Sequence, residues 1–113
     1  NREDLEWMVR KIANLRIFDD GQGVMNLSVS QVSGQLLVVS QFTLHASTRK
    51  GNRPSYVKAA VPDIAIPLYD SFCMMLQTYT GIKVETGEFG AHMEVQLINN
   101  GPVTIIIDSK KRE

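Results

Sequence analysis

Between Asp4 and Leu15 the apolar residues Leu5, Met8, Val9, Ile12 and Leu15 recur at three- and four-residue spacing, with Glu6, Arg10 and Lys11 between them. That period predicts an amphipathic helix laid on a core. Asp19-Asp20-Gly21-Gln22-Gly23 breaks the pattern as a loop. Leu27 to Val32 then reads as a short strand, Ser33-Gly34 as a tight turn and Gln35 to Phe42 as a second strand. Its continuous Leu36-Leu37-Val38-Val39 run predicts burial on both faces, at the centre of a sheet. His45 to Pro54 is polar, basic and glycine-containing, and reads as a surface loop.

Leu68, Phe72, Met75, Leu76 and Tyr79 form a second helical stripe between Asp63 and Tyr79. Pro67 would damage a helix interior, so the regular part is predicted to start near it, and Gly81 to end it. The remainder alternates as strands over Ile82 to Thr86, Met93 to Ile98 and Val103 to Ile107, with Asn99 to Pro102 turning between the last two. Helix, strands, helix, strands, without an internal repeat, predicts an α/β fold with a mixed, largely antiparallel sheet and two main helices. About five strands are few for covering two long helices and a doubly buried strand.

Composition narrows the class. At 113 residues and 43% hydrophobic the chain has the size of one domain, 1–113, with one core. Twelve basic and twelve acidic residues balance, so any signal for nucleic acid must be local. The single cysteine, Cys73, excludes an internal disulfide and a cysteine-based zinc site and fits a reducing compartment. No run of about 18 apolar residues and no charged-then-apolar leader is visible, so the expectation is a cytoplasmic protein without a membrane partner.

The search for chemistry first finds absences: no glycine-rich phosphate loop, no HExxH, no GxSxG and no carboxylate-histidine cluster with metal spacing. Neither a metal nor a cofactor is expected. His45 and His92 have no partner motif and read as structural or surface residues, and Cys73, beside Phe72, Met74 and Met75, reads as packing. Ser40-Gln41-Phe42-Thr43-Leu44 places polar side chains at the end of an apolar strand, where ligand sites concentrate; alternatively, the strand simply fades into a loop there. Asn99-Asn100-Gly101-Pro102 has the residues of a hairpin turn, and the two glycines of Thr86 to Met93 mark a bend in a strand. His45 to Ala60 holds Arg49, Lys50, Arg53 and Lys58 without one acidic residue, a footprint for phosphates or else a solvated loop. Tyr56 within it either packs or stacks. Lys110-Lys111-Arg112 either assists RNA binding or is a soluble end.

With Arg16-Ile17-Phe18, Met25-Asn26-Leu27, Arg53-Pro54-Ser55 and Leu68-Tyr69-Asp70, these stretches resemble the D-aminoacyl-tRNA deacylases, also called the D-tyrosyl-tRNA deacylase family, from about Ala13 to Ser109. The resemblance implies a barrel-like deacylase fold whose N-terminal strands are missing here, so that 1–113 is an N-terminally incomplete copy. It implies that Ser40, Gln41, Phe42 and Thr43 line the catalytic pocket for the aminoacyl group and terminal adenosine, and that Phe89, Gly90, Ala91 and Met93 wall it. It further implies a homodimer in which a cis Gly101-Pro102 peptide enters the partner's pocket and excludes an L side chain; the basic stretch, by its charge, is expected to place Arg49, Lys50 and Arg53 on tRNA phosphates. The implied activity is hydrolysis of D-aminoacyl-tRNA, and of glycyl-tRNA, to free amino acid and tRNA. The alternatives are a related deacylase acting on a small L-amino acid, whose signature departs at the positions of Ser40 and Phe42, and a non-catalytic tRNA-binding module.

Overall fold

The computed structural model describes residues 1–112. Helix α1 covers Arg2–Asn14, and the Asn1 side chain caps it by accepting the Asp4 N–H at 3.0 Å. Strands β1 (Phe18–Asp19) and β2 (Met25–Leu27) form an antiparallel hairpin. Its loop is organised by the Asp20 carboxylate, which accepts from the Gln22 and Val24 N–H groups at 2.8 and 3.1 Å and from the Asn26 amide at 3.3 Å. The Val24 N–H foremost, then that of Gln22, holds the Asp20 carboxyl below the usual carboxylate range. Strand β3 (Leu36–Val38) pairs in parallel with β4 (Val84–Thr86), and the long helix α2 (Pro62–Thr80) connects them, as a parallel pair requires.

Helix α1 packs on α2, and α2 also touches β4. The buried core is small: Val9 and Ala13 from α1, Leu76 from α2, and Val29. The apolar stripe of α1 therefore does what its period predicts. Gly81 ends α2 in the left-handed conformation at φ 72°, its N–H donating to the Gln77 carbonyl, the termination expected of glycine there.

Several expectations are corrected. Helix α2 begins at Pro62, not near Pro67. Pro62 in the first turn needs no N–H donor, and Pro67 removes only one bond close to the helix start, which the rest of the helix outweighs. The strand expected from Leu27 to Val32 stops at Leu27, because Ser28 to Gly34 folds into turns held by Gly34 N–H to the Val29 carbonyl at 2.9 Å and by the Gln31 side chain on the Ser28 N–H at 2.8 Å. Strand β3 is neither central nor buried on both faces: Leu37 is 67% exposed, and β4 is the one strand bonded to it. Met93 to Ile98 and Val103 to Ile107 carry no ladder among the described residues. The fold is mixed α/β with one antiparallel and one parallel pair, not a largely antiparallel sheet, and it is not a closed barrel. Closure needs each strand bonded on both sides, and each strand here has one bonded neighbour. The radius of gyration, 15.8 Å, exceeds the roughly 13 Å of a compact domain this long, consistent with the exposed arm around residues 94–106.

Candidate active site

Strand β3 delivers the chain to Ser40 and Gln41, after which Phe42–Leu44 forms a short 3-10 turn. Ser40, Gln41, Phe42 and His45 line one cavity of about 270 Å³. Ala59, Ala60 and Ala65 also line it, as does Phe89 from the segment after β4. Three of the four expected catalytic residues thus converge. The fourth, Thr43, does not line the cavity; its hydroxyl oxygen accepts a hydrogen bond from the Gln41 amide.

Aromatic contacts set the two sides. The Phe42 ring meets the Tyr56 ring edge-on, with centroids 5.4 Å apart, so Tyr56 packs on the residue that lines the cavity. Phe89 meets Tyr69 of α2 at 5.7 Å. Of the expected wall, Phe89 lines the cavity, whereas Gly90, Ala91 and Met93 stand outside it. Met93 instead packs on the backbone at Gly87, where an added Cβ would lie 3.0 Å from its sulfur.

The Gly101-Pro102 peptide is cis, both residues are exposed, and neither lines this cavity. Arg49, Lys50 and Arg53 are exposed on a loop closed at its base by the Ser47 and Ser55 backbones, which exchange hydrogen bonds of 2.7 and 2.9 Å. The loop springs from His45 on one side and Tyr56 on the other, so it hangs from the cavity's rim. Cys73 is half-buried, and burial pushes its thiol above the ordinary value, which suits packing rather than nucleophilic attack.

Sequence reasoning missed His45, read as a structural or surface residue, and the alanines at 59, 60 and 65. Small residues at 59, 60 and 65, around the start of α2, were the available signal. Chemically the site presents an amide, a hydroxyl and aromatic walls: donors for a carbonyl oxygen and surfaces for a planar base, with no charged nucleophile.

Comparison with known proteins identifies the family. A family model described as D-Tyr-tRNA(Tyr) deacylase matches residues 1–108. The chain is 62% identical over 113 residues to a D-aminoacyl-tRNA deacylase of Bacteroides fragilis (strain YCH46), and 64% identical over 113 residues to that of Flavobacterium psychrophilum. In both cases the match covers 100% of this chain and 75% of the relative. Among solved structures, one named c-Myc DNA Unwinding Element Binding Protein superposes with a TM-score of 0.83 at 41% identity, covering 93% of this chain and 71% of that one. With the match running almost end to end and the Ser40 to Phe42 segment gathered at a cavity, the chain belongs to the D-Tyr-tRNA(Tyr) deacylase family.

Proposed function

We propose that this protein hydrolyses the ester joining a D-amino acid to the terminal ribose of tRNA, releasing free D-amino acid and reusable tRNA as a proofreading step in translation. The observation that carries the reading is the convergence of Ser40, Gln41, Phe42 and Phe89 on one cavity, in a chain more than 60% identical to D-aminoacyl-tRNA deacylases. An aminoacyl ester is already activated. Orienting a water and placing a few donors toward the developing oxyanion accelerates its hydrolysis without a covalent nucleophile, a metal or a cofactor. Ser40, Gln41 and Phe42 face the scissile group and the adenosine, and Thr43 fixes the Gln41 amide. The substrate's neighbouring 2′-hydroxyl assists.

Chirality is enforced from outside the chain. Gly101 and Pro102 are exposed and do not line their own cavity, which supports their insertion into the pocket of a second copy in a homodimer. Their backbone carbonyls there leave no room for an L side chain, while achiral glycine passes. Phe89, with Gly90, Ala91 and Met93 behind it, walls the pocket. Arg49, Lys50 and Arg53, hanging at the rim, meet the phosphates of the acceptor end. No described helix is long and apolar enough to cross a membrane.

The test is hydrolysis of a D-aminoacyl-tRNA beside its L form and glycyl-tRNA. Release from the D and glycyl esters, with the L ester spared, is expected. Preference for a small L-amino acid, or binding without turnover, would replace this reading with a related L-specific deacylase or a tRNA-binding module.

A further inference from the structure

The two walls of the cavity meet at one carbonyl. The Val38 oxygen, at the end of β3 and two residues before Ser40, accepts the Gly87 N–H at 3.3 Å and the Tyr69 hydroxyl at 3.1 Å. Gly87 begins the segment that carries Phe89, and the Tyr69 ring packs on Phe89 itself at 5.7 Å. One half-buried side chain of α2 therefore touches both the strand that delivers Ser40 and Gln41 and the aromatic wall opposite them. We infer that Tyr69 is a positioning residue that sets the separation of the two walls, its hydroxyl holding the strand end and its ring holding Phe89. This deepens the deacylase reading and rests on it.

The surroundings suit a structural donor. Burial pushes the Tyr69 phenol above its ordinary value, with Cys73 beside it, so the hydroxyl keeps its proton and stays a donor throughout the neutral range. The two halves of the side chain act on different steps. Donors delivered by β3 act on charge that develops in the transition state, so their displacement lowers kcat. The Phe89 wall contacts substrate before and during reaction, so slackening it raises KM.

Tyr69→Phe removes the hydroxyl and keeps the ring. A fall in kcat of about three- to tenfold, the worth of one hydrogen bond, is expected with KM within about twofold. Tyr69→Leu, which also removes Phe89's aromatic partner, is expected to raise KM in addition. Amide hydrogen exchange supplies a readout independent of turnover: in Tyr69→Phe the Gly87 N–H should exchange about three- to tenfold faster, while the Gly81 N–H, bonded to the Gln77 carbonyl on the same helix, stays unchanged. Tyr79→Phe, which alters a hydroxyl accepting from the Asn14 amide at 3.1 Å away from the cavity, is the control and should leave kcat and KM alone. Unchanged kcat in an active Tyr69→Phe enzyme, or unchanged Gly87 exchange, overturns the inference. Failure of the unaltered protein to turn over any aminoacyl-tRNA overturns the deacylase reading instead, and the exchange measurement still decides the role of Tyr69.

Discussion

Thr43 shows how a single partner decides a residue's role. A hydroxyl becomes a nucleophile when an adjacent base takes its proton. The partner of Thr43 is the Gln41 side-chain amide, which donates and cannot accept at that nitrogen. We propose that Thr43 orients Gln41. Thr43→Ala is expected to slow D-aminoacyl-tRNA hydrolysis by about tenfold, one hydrogen bond's worth, while D-selectivity remains. Loss of turnover to the uncatalysed rate, together with an acyl-enzyme trapped from the unaltered protein, would establish covalent catalysis instead. Cys73 makes the complementary point: a group nucleophilic in isolation is turned toward packing by burial that raises its thiol pKa.

At the scale of elements, the basic loop is the clearest case of sequence and structure pointing the same way. His45 to Pro54, within the acid-free run to Ala60, reads as a surface loop, and the Ser47–Ser55 bridge closes it at its base with Arg49, Lys50 and Arg53 exposed. A cation that neutralises a phosphate releases counterions, so Arg49→Ala with Arg53→Ala is expected to weaken tRNA binding and to flatten its log-log salt dependence by roughly 0.7 to 0.9 for each phosphate no longer neutralised. D-against-L selectivity should persist, because the loop lies at the rim and not inside the cavity. Unchanged affinity and unchanged slope would mark the loop as merely solvated. The strands were less legible. An apolar run such as Leu36 to Val39 states that the segment can be buried, not how many neighbours it has, and here it has one.

For the whole molecule, the exposed arm is the dominant feature. Ile98 and Ile106 are each 94% exposed on either side of the Gly101-Pro102 turn, an apolar flank that water does not stabilise. A symmetric pair that buries this flank and completes both cavities is the expected state, read as a dimer by sedimentation at micromolar concentration. A monomer with full activity would refute the exchange of Gly-Pro turns between copies.

What the sequence determined by itself is local: the helix periods, the Gly81 stop, the exposed basic loop, and the Ser40 to Thr43 and Gly101-Pro102 stretches as places to look. The helix periods, the Gly81 stop and the basic loop follow from side-chain spacing, backbone freedom and charge, which act within a few residues; the other two stretches stand out through resemblance to the deacylases. What only the tertiary structure decided is which distant pieces meet. Phe89 reaches Ser40 and Phe42 because β3 and β4 pair in parallel across α2, and Tyr69 joins both walls through the Val38 carbonyl. Thr43 turns away from the cavity although its neighbours face it, because the 3-10 turn redirects the chain there. The pairing of Leu36 with Val84 closes a long loop, and the hydrogen bonds and burial that compensate its entropy exist only once α2 lies between. No local pattern encodes that balance.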